Sequence, residues 1–367
     1  MNTAVLIIGA GLMGSSIALQ LSMRGCRCIV IDKASPGRHA SGANAGGLRQ
    51  INRDPAEIPL TVEAANMWRN IESLVDSDCD ARFPGQLRIA ENQSDMDKLE
   101  QREAMVRGLG YQHEEMIGKK ELYQLVPALA PHCVGALMCR EDGYGRPYHA
   151  LTAFRRKAES LGVIFHSDTE VYKLEQEGEG WQVRTSKGTF NSDILVNCAG
   201  AWAGKLAGLL HEPVPLTPKA LMLMVTERLP HFVDPVMGAA SRKLSFKQMQ
   251  NGSLIIGGAL VAKLDFAQEK TDIDWRQLAE SAKTVMHFFP QLEDVRIVRA
   301  WAGIEGFMPD NIPVIGASQA MKNAYHAFGF SAHGFQLSPV IGRIMAQLIL
   351  DGRSELPIGP FSIRRFD

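Results

Sequence analysis

No apolar run in the chain reaches about 18 residues, the length that crosses a bilayer as a helix, so no transmembrane segment is expected. A charge surplus is also missing: 39 Lys and Arg face 40 Asp and Glu, for a net charge of -1. A surface that tracks phosphates needs excess positive charge, so nucleic acid is not expected as a partner. The six cysteines form no C-x-x-C pair, and no histidines stand beside them at zinc spacing, so no metal site is expected. They read as free thiols, with Cys26 and Cys28 buried and facing one way from a strand. The opening MNTAVLIIGAGLMG has no basic stretch before its apolar run, which argues against a secretory signal. The expected location is the cytoplasm, at most peripheral to the inner membrane through a partner. Internal repeats and low-complexity linkers are absent too.

Glycine is the residue in surplus. There are 34, where an average usage of about 7% predicts roughly 26. With 46% hydrophobic and 22% charged residues the chain reads as globular, and its length suggests two domains.

Three of the glycines mark a nucleotide site. Ala4 to Ile8 is a β-branched, apolar run suited to a buried parallel strand. Gly9-Ala10-Gly11-Leu12-Met13-Gly14 follows at once, then a helical face through Ile17, Ala18 and Leu21, then a second strand from Arg27 to Ile31 that ends at Asp32 and Lys33. Gly9 permits the tight turn, Gly11 lets the backbone approach a pyrophosphate, and Gly14 lets the helix lie close on the strand. The helix N-terminus offers free N–H groups to phosphates, and Asp32 can accept from a ribose diol. Strand, glycine turn, helix and acid in register point to a bound dinucleotide. The next segment, Ala40-Ser41-Gly42-Ala43-Asn44-Ala45-Gly46-Gly47-Leu48-Arg49, is small residues and then an Arg. Small residues let backbone lie against a flat ring system, and Ser41 and Asn44 can donate to phosphate or ribityl oxygens. A flexible surface loop is the plain alternative.

Further on, helices are expected over 62–75, 94–106 (capped by Ser94), 119–125 and 148–161, and strands over 86–90 and 134–139. Short strands are expected over 163–165, 169–174, 181–185 and 189–190, with a buried strand over 193–197 ending in Cys198-Ala199-Gly200. Strands over 221–226, 244–248 and 254–256, with a helix over 274–289, do not alternate as βαβ units and suit an antiparallel sheet. Residues 299–316 are rich in turn formers. A strand over 325–328 leads into Gly329-Phe330-Ser331-Ala332-His333-Gly334-Phe335 and an amphipathic helix whose N-terminus can stabilise negative charge. His333 reads either as a contact to a bound ring or as a cap.

Taken together, these pieces resemble the FAD-dependent amine and amino-acid oxidoreductases of the D-amino-acid oxidase superfamily, over nearly the whole chain. The anchors are GAGLMG, the SGANAGGLR loop, Asn197 to Trp202, the Pro309-Asp310 to Gly316 turn and GFSAHGF. The loop and the C-terminal segment are most similar to the β-type subunits of opine oxidase, D-hydroxyproline dehydrogenase, hydrogen cyanide synthase and sarcosine oxidase. The resemblance implies α/β plus α+β architecture: a Rossmann-like FAD-binding domain (1–60, 140–215 and 300–367) carrying an inserted antiparallel-sheet substrate domain (61–139 and 216–299).

It also implies the cofactor's surroundings. Gly9, Gly11, Leu12, Met13, Gly14, Asp32 and Lys33 would hold the ADP half of FAD. Ser41, Asn44, Gly46, Gly47 and Leu48 would line the ribityl and ring portion, and Val171 the adenine side. Ala199, Gly200 and Trp202 would border the pyrophosphate, and Gly329, Ser331, His333, Gly334 and Phe335 the pyrimidine edge. Relatives with a cysteine-linked flavin carry it where this chain has Gly303 and Ile304, so FAD is expected to be noncovalent. Covalent FMN at a subunit interface is not supported, because Pro147 stands where sarcosine oxidase β has its attaching histidine, with His149 nearby. Where glycine-oxidase-like relatives place a carboxylate-clamping Arg after W-x-G-x, this chain has Glu305.

The implied activity is oxidation of a C–N bond in an amino acid or secondary amine, by hydride transfer to flavin N5 and hydrolysis of the imine. The expected form is the catalytic β subunit of an opine or D-hydroxyproline dehydrogenase, with an α-type partner subunit and a quinone or respiratory-chain acceptor. No oxygen-activating lysine is assigned from sequence. The alternatives are a stand-alone glycine, sarcosine or D-amino-acid oxidase using dioxygen, a non-catalytic FAD-binding subunit, and a nicotinamide dehydrogenase. Arg49 is the first candidate for a charge near the flavin or the substrate carboxylate, against a structural salt bridge. Lys219 is a second. Glu305 is read as meeting a cationic substrate group, such as a guanidinium, or else as facing solvent or a partner.

Overall fold

The computed structural model describes residues 1–366. Two sheets organise it. The first has eight strands, and its spine runs in the order Val314–Ala317, Ala324–Phe328, Gly188–Asn197, Asn2–Ile8, Cys28–Ile31, Ile164–His166. All but the antiparallel edge strand Val314–Ala317 pair in parallel, with Val5 opposite both Cys28 and Ile194. Leu6 and Ile7 point to opposite faces and are both fully buried, which is why the strand reads as an unbroken apolar run. Helices Leu12–Met23, Pro147–Ser160, Ile58–Arg69 and Gly334–Asp351 cover one face. Ile17, Leu60, Phe154, Leu337 and Ile341 are sealed there, each contributing about 1.5–3 kcal/mol of burial.

The second sheet has nine strands. Its path is Ile297–Phe307, Thr217–Arg228, Ser253–Asp265, Ser245–Gln248, Val236–Ala239, Gln86–Ala90, Gly135–Cys139, Glu115–Gly118. Pairing is antiparallel except between Val236–Ala239 and Gln86–Ala90. Leu87 and Ile89 enter the core beneath helices such as Trp275–Phe288, while Gln86 and Arg88 face a large cavity shared with the first sheet. This period of two turns one face of the sheet into a wall of the site.

Several expectations need correction. The 299–316 segment is not a run of turns: Ile297–Phe307 is an eleven-residue strand, paired along its length with Thr217–Arg228. Its glycines serve close approach, since a Cβ on Gly303 would sit 2.6 Å from the Cβ of Ala43. The boundary expected at residue 300 therefore falls inside a strand of the second sheet. The 62–75 helix breaks at Asn70 into Ile58–Arg69 and Ile71–Val75. Asn92, not Ser94, caps the next helix, its side chain accepting from the Asp95 amide. Strands expected separately at 189–190 and 193–197 are one, Gly188–Asn197. Cys26 precedes its strand and is only half-buried, unlike Cys28.

Candidate active site

A cavity of about 570 Å³ runs between the two sheets. One end lies at the tip of the first parallel strands. Gly9 has φ +112°, and a Cβ there would stand 2.3 Å from the carbonyl oxygen of Cys198. Gly14 lies outside the cavity wall, where a Cβ would meet the Gly9 oxygen at 1.9 Å, so glycine is what lets helix and turn touch. Asp32 accepts from the Ala10 amide at 2.7 Å and from the Ala34 amide at 2.9 Å, which aims its carboxylate along the cavity edge. Burial raises its pKa, and those two amides oppose the shift. Lys33 pairs with Glu269 and lies 3.4 Å from the Trp202 ring centre, which Phe266 stacks at 5.2 Å. The hairpin joining Ser253–Asp265 to Lys270–Asp272 in the second sheet thus reaches across to the nucleotide end. Val171, Ala199 and Gly200 complete this wall.

The glycine-rich loop forms the middle. Ser41 Oγ accepts from the Leu12 amide at 2.9 Å, which leaves its own proton free for an acceptor in the cavity. Asn44 is spent on the loop itself, donating to Ala40 O at 2.9 Å and accepting from the Gly46 amide at 2.7 Å. Gly11, Met13, Gly46 and Gly47 also line the space, whereas Leu48 is buried behind it. From the far side come Gly329, Ser331, Gly334 and Phe335. Ser331 and Ala332 both adopt left-handed backbone, φ +48° and +69°. That conformation is unusual for non-glycine residues and points to a positional demand. Here it directs the Ala332 amide at the Glu305 carboxylate.

The other end is built by charges. Arg49 faces the cavity, and its guanidinium has no hydrogen bond or ion pair among the described residues. Burial lowers its pKa, while Asp142, Glu57 and Glu114 resist that. Arg53 lies beside it, donating to the Arg49 carbonyl at 2.9 Å. Arg88 enters from the second sheet. Glu305 is half-buried with its open surface on the cavity, and burial pushes its pKa up to about 7, opposed by the Ala332 amide.

Two of the four catalytic candidates read from sequence lie elsewhere. His333 does not line the cavity; its Nδ1 pairs with Glu57 at 2.8 Å, and burial lowers its pKa to about 4, so it is neutral at pH 7. It stands at the helix N-cap position but makes no side-chain cap, because Glu57 takes its ring. Lys219 is also outside the wall, its Nζ held 4.7 Å from the Phe307 ring centre.

Sequence reasoning missed Arg53, Arg88 and Lys247. Lys247 is 4% exposed, donates to the Ala45 carbonyl and is pushed by burial down to about 7. A lysine on a strand with apolar neighbours was the available signal. A group absent from the spacing argument also appears: Glu91, His132 and His287 bring ligand atoms within 4.8 Å of one another. Arg242 takes the second Glu91 oxygen at 2.6 Å, so the carboxylate is already satisfied in an ion-pair knot.

The glycine turn that a Cβ would fill, an acid at the strand end, a loop of small residues and a helix N-terminus at the opposite edge fit an elongated dinucleotide with a flat ring. The family profile described as "FAD dependent oxidoreductase" (DAO) matches residues 4–348. Monomeric sarcosine oxidase of Streptomyces avermitilis is 28% identical, covering 98% of this chain and 97% of its own length. An opine oxidase subunit of Rhizobium meliloti is 26% identical, covering 98% and 97%. The solved structure of L-proline dehydrogenase from P. horikoshii superposes with a TM-score of 0.93 at 25% identity, covering 100% of this chain and 98% of that one.

Proposed function

This chain belongs to the DAO family of FAD-dependent oxidoreductases, which act on amino acids and amines, and we propose that it oxidises a substrate C–N bond at the Arg49–Glu305 end of the cavity. The observation that carries this reading is the pair itself: an unpartnered guanidinium and a carboxylate that titrates near neutrality, both facing one space. Bound FAD supplies a hydride acceptor that turns a C–N single bond into C=N. Arg49 receives the substrate carboxylate in a bidentate, charge-assisted contact. Glu305 takes the proton from the substrate ammonium, leaving the neutral amine that oxidation requires, and the Ala332 amide steadies the carboxylate. Leu221, Leu223, Ile304 and Phe335 give the cavity apolar walls beside these charges. The imine is then hydrolysed to an amine and an oxo acid.

The assembly reading is the catalytic β subunit of an opine- or D-hydroxyproline-type dehydrogenase, with an α-type partner leading electrons toward a quinone chain. Its support is the likeness to the opine oxidase subunit of Rhizobium meliloti. Lys247 favours a second reading, direct use of dioxygen, because a buried ammonium beside the glycine-rich loop attracts the negative charge that reduced oxygen develops. The test is anaerobic mixing of the purified protein with opines, D-hydroxyproline, proline, glycine and sarcosine. Bleaching of the visible flavin band by one class supports the amine reading; no bleaching by any leaves an FAD-binding protein without this activity. Peroxide release on admitting air, compared with dye reduction, separates the two acceptors.

A further inference from the structure

The hairpin that crosses to the nucleotide end is shaped to hold on there. Its strands pair up to Asp265 opposite Lys270, which leaves Phe266-Ala267-Gln268-Glu269 as the tip. Asp265 Oδ1 accepts from the Gln268 amide at 3.0 Å, and Glu269 adopts left-handed backbone at φ +54°. A non-glycine residue keeps that conformation where its surroundings fix it. Ala267 and Gln268 are exposed, as tip residues in water should be, but Phe266 and Glu269 are half-buried. Those two make the crossing contacts. One Glu269 oxygen pairs with Lys33, and the other lies 3.3 Å from His39 Nε2. Phe266 stacks on Trp202 with 22° between the rings, and the His39 ring centre is 4.5 Å from that of Trp202. Lys33, His39 and Trp202 line the cavity, whereas Phe266 and Glu269 lie behind them, outside its wall. Lys33 and His39 follow the strand Cys28–Ile31, and Trp202 follows Gly188–Asn197. The tip therefore bridges two segments of the nucleotide end from the outside.

We propose that the tip Phe266–Glu269 is a latch over the nucleotide end of the cavity, and that its opening sets how fast FAD enters and leaves. Every latch contact runs between protein side chains, so its strength does not depend on the nucleotide. Opening breaks one ion pair and one ring stack and moves a four-residue loop, which places it among the least costly local openings of a fold. A gate that must open for both directions multiplies entry and release by the same open fraction. It changes the two rates together and leaves their ratio, the affinity, in place. The latch concerns how the cofactor is kept, not which amine it oxidises.

The test uses the FAD-loaded protein, with Phe266→Ala, Glu269→Gln and the two combined. Release is followed as the rise of free-flavin fluorescence after dilution, and Kd is taken from the equilibrium level over a dilution series. The entry rate is the release rate divided by Kd. Each single variant should speed release about fivefold and the double variant more, from the loss of a stack or an ion pair. Kd should stay within about threefold of the native value, so that entry speeds up in step. Gln268→Ala, on the same tip but exposed, should release FAD at the native rate. Hydrogen exchange at the Glu269 amide, read in the FAD-loaded proteins, should quicken in the same order as release. Release at the native rate in the double variant overturns the proposal. So does faster release with Kd weakened in the same proportion, because the tip then acts as a contact to FAD and not as a gate. These rates are read from FAD alone, so the outcome is independent of whether any amine bleaches it.

Discussion

Replacing Glu305 with Gln tests the proton-accepting role and carries a magnitude that the structure sets. Burial moves the carboxyl from 4.5 to about 7. At about 1.36 kcal/mol per pKa unit that shift is worth about 3 kcal/mol, and water in the cavity reduces the expected value to about 2 kcal/mol. Between the two pKa values the folded chain holds a proton that the unfolded chain has released. Stability therefore falls as pH rises through that window, and the full penalty is present above it. Gln carries no such penalty. The stability gained by Glu305→Gln, read from urea unfolding, should grow by about 2 kcal/mol between about pH 5 and about pH 8. Catalysis gives the second arm. In the native protein kcat/KM should rise about tenfold per pH unit below about 7 and level off above it, while the variant loses that limb and about 10²–10⁴-fold of its rate. A stability difference that does not change with pH, or an acid limb that survives in Glu305→Gln, refutes the reasoning.

Other outcomes follow from the same geometry. Gly14→Ala forces a Cβ to within 1.9 Å of the Gly9 carbonyl; a loss of about 1–3 kcal/mol and weaker FAD retention are expected, checked by thermal melting and by the flavin-to-protein absorbance ratio. Arg49→Met should weaken substrate binding about 10–100-fold, seen as a raised KM for carboxylate-bearing amines with retained flavin absorbance. Lys247→Met should cut peroxide formation more than dye reduction. Because Lys247 is protonated below about 7, the native peroxide rate should decline as pH rises through that value, and the variant's should not.

The nucleotide end was legible because its parts are local. Gly9, Gly14 and Asp32 lie on one strand–turn–helix–strand stretch, where spacing translates directly into geometry. Glu305 stood out as a departure at a known position, although its strand did not: Gly303 and Gly306, close to Pro309, Asp310 and Asn311, look like turn formers until Ala43 is found against Gly303. At the substrate end Arg49 was legible at the close of the small-residue loop, but Arg88 was not, because only the nine-stranded sheet brings its distant strand to the same cavity; Lys247, on another strand of that sheet, is placed against Ala45 of the loop in the same way. His333 and Lys219 went astray for the converse reason. Each has a plausible address in sequence, but a local partner, Glu57 or the Phe307 ring, takes its side chain elsewhere.

The central claim is that an amine C–H bond is broken in this cavity at the expense of FAD. Its most direct test is the anaerobic bleaching rate of the flavin band with a reactive amine carrying deuterium on the carbon beside nitrogen. The account predicts that the deuterated amine bleaches the flavin several-fold more slowly than the ordinary one and yields one oxo acid per flavin reduced. Bleaching at the same rate with no oxo acid formed would contradict it.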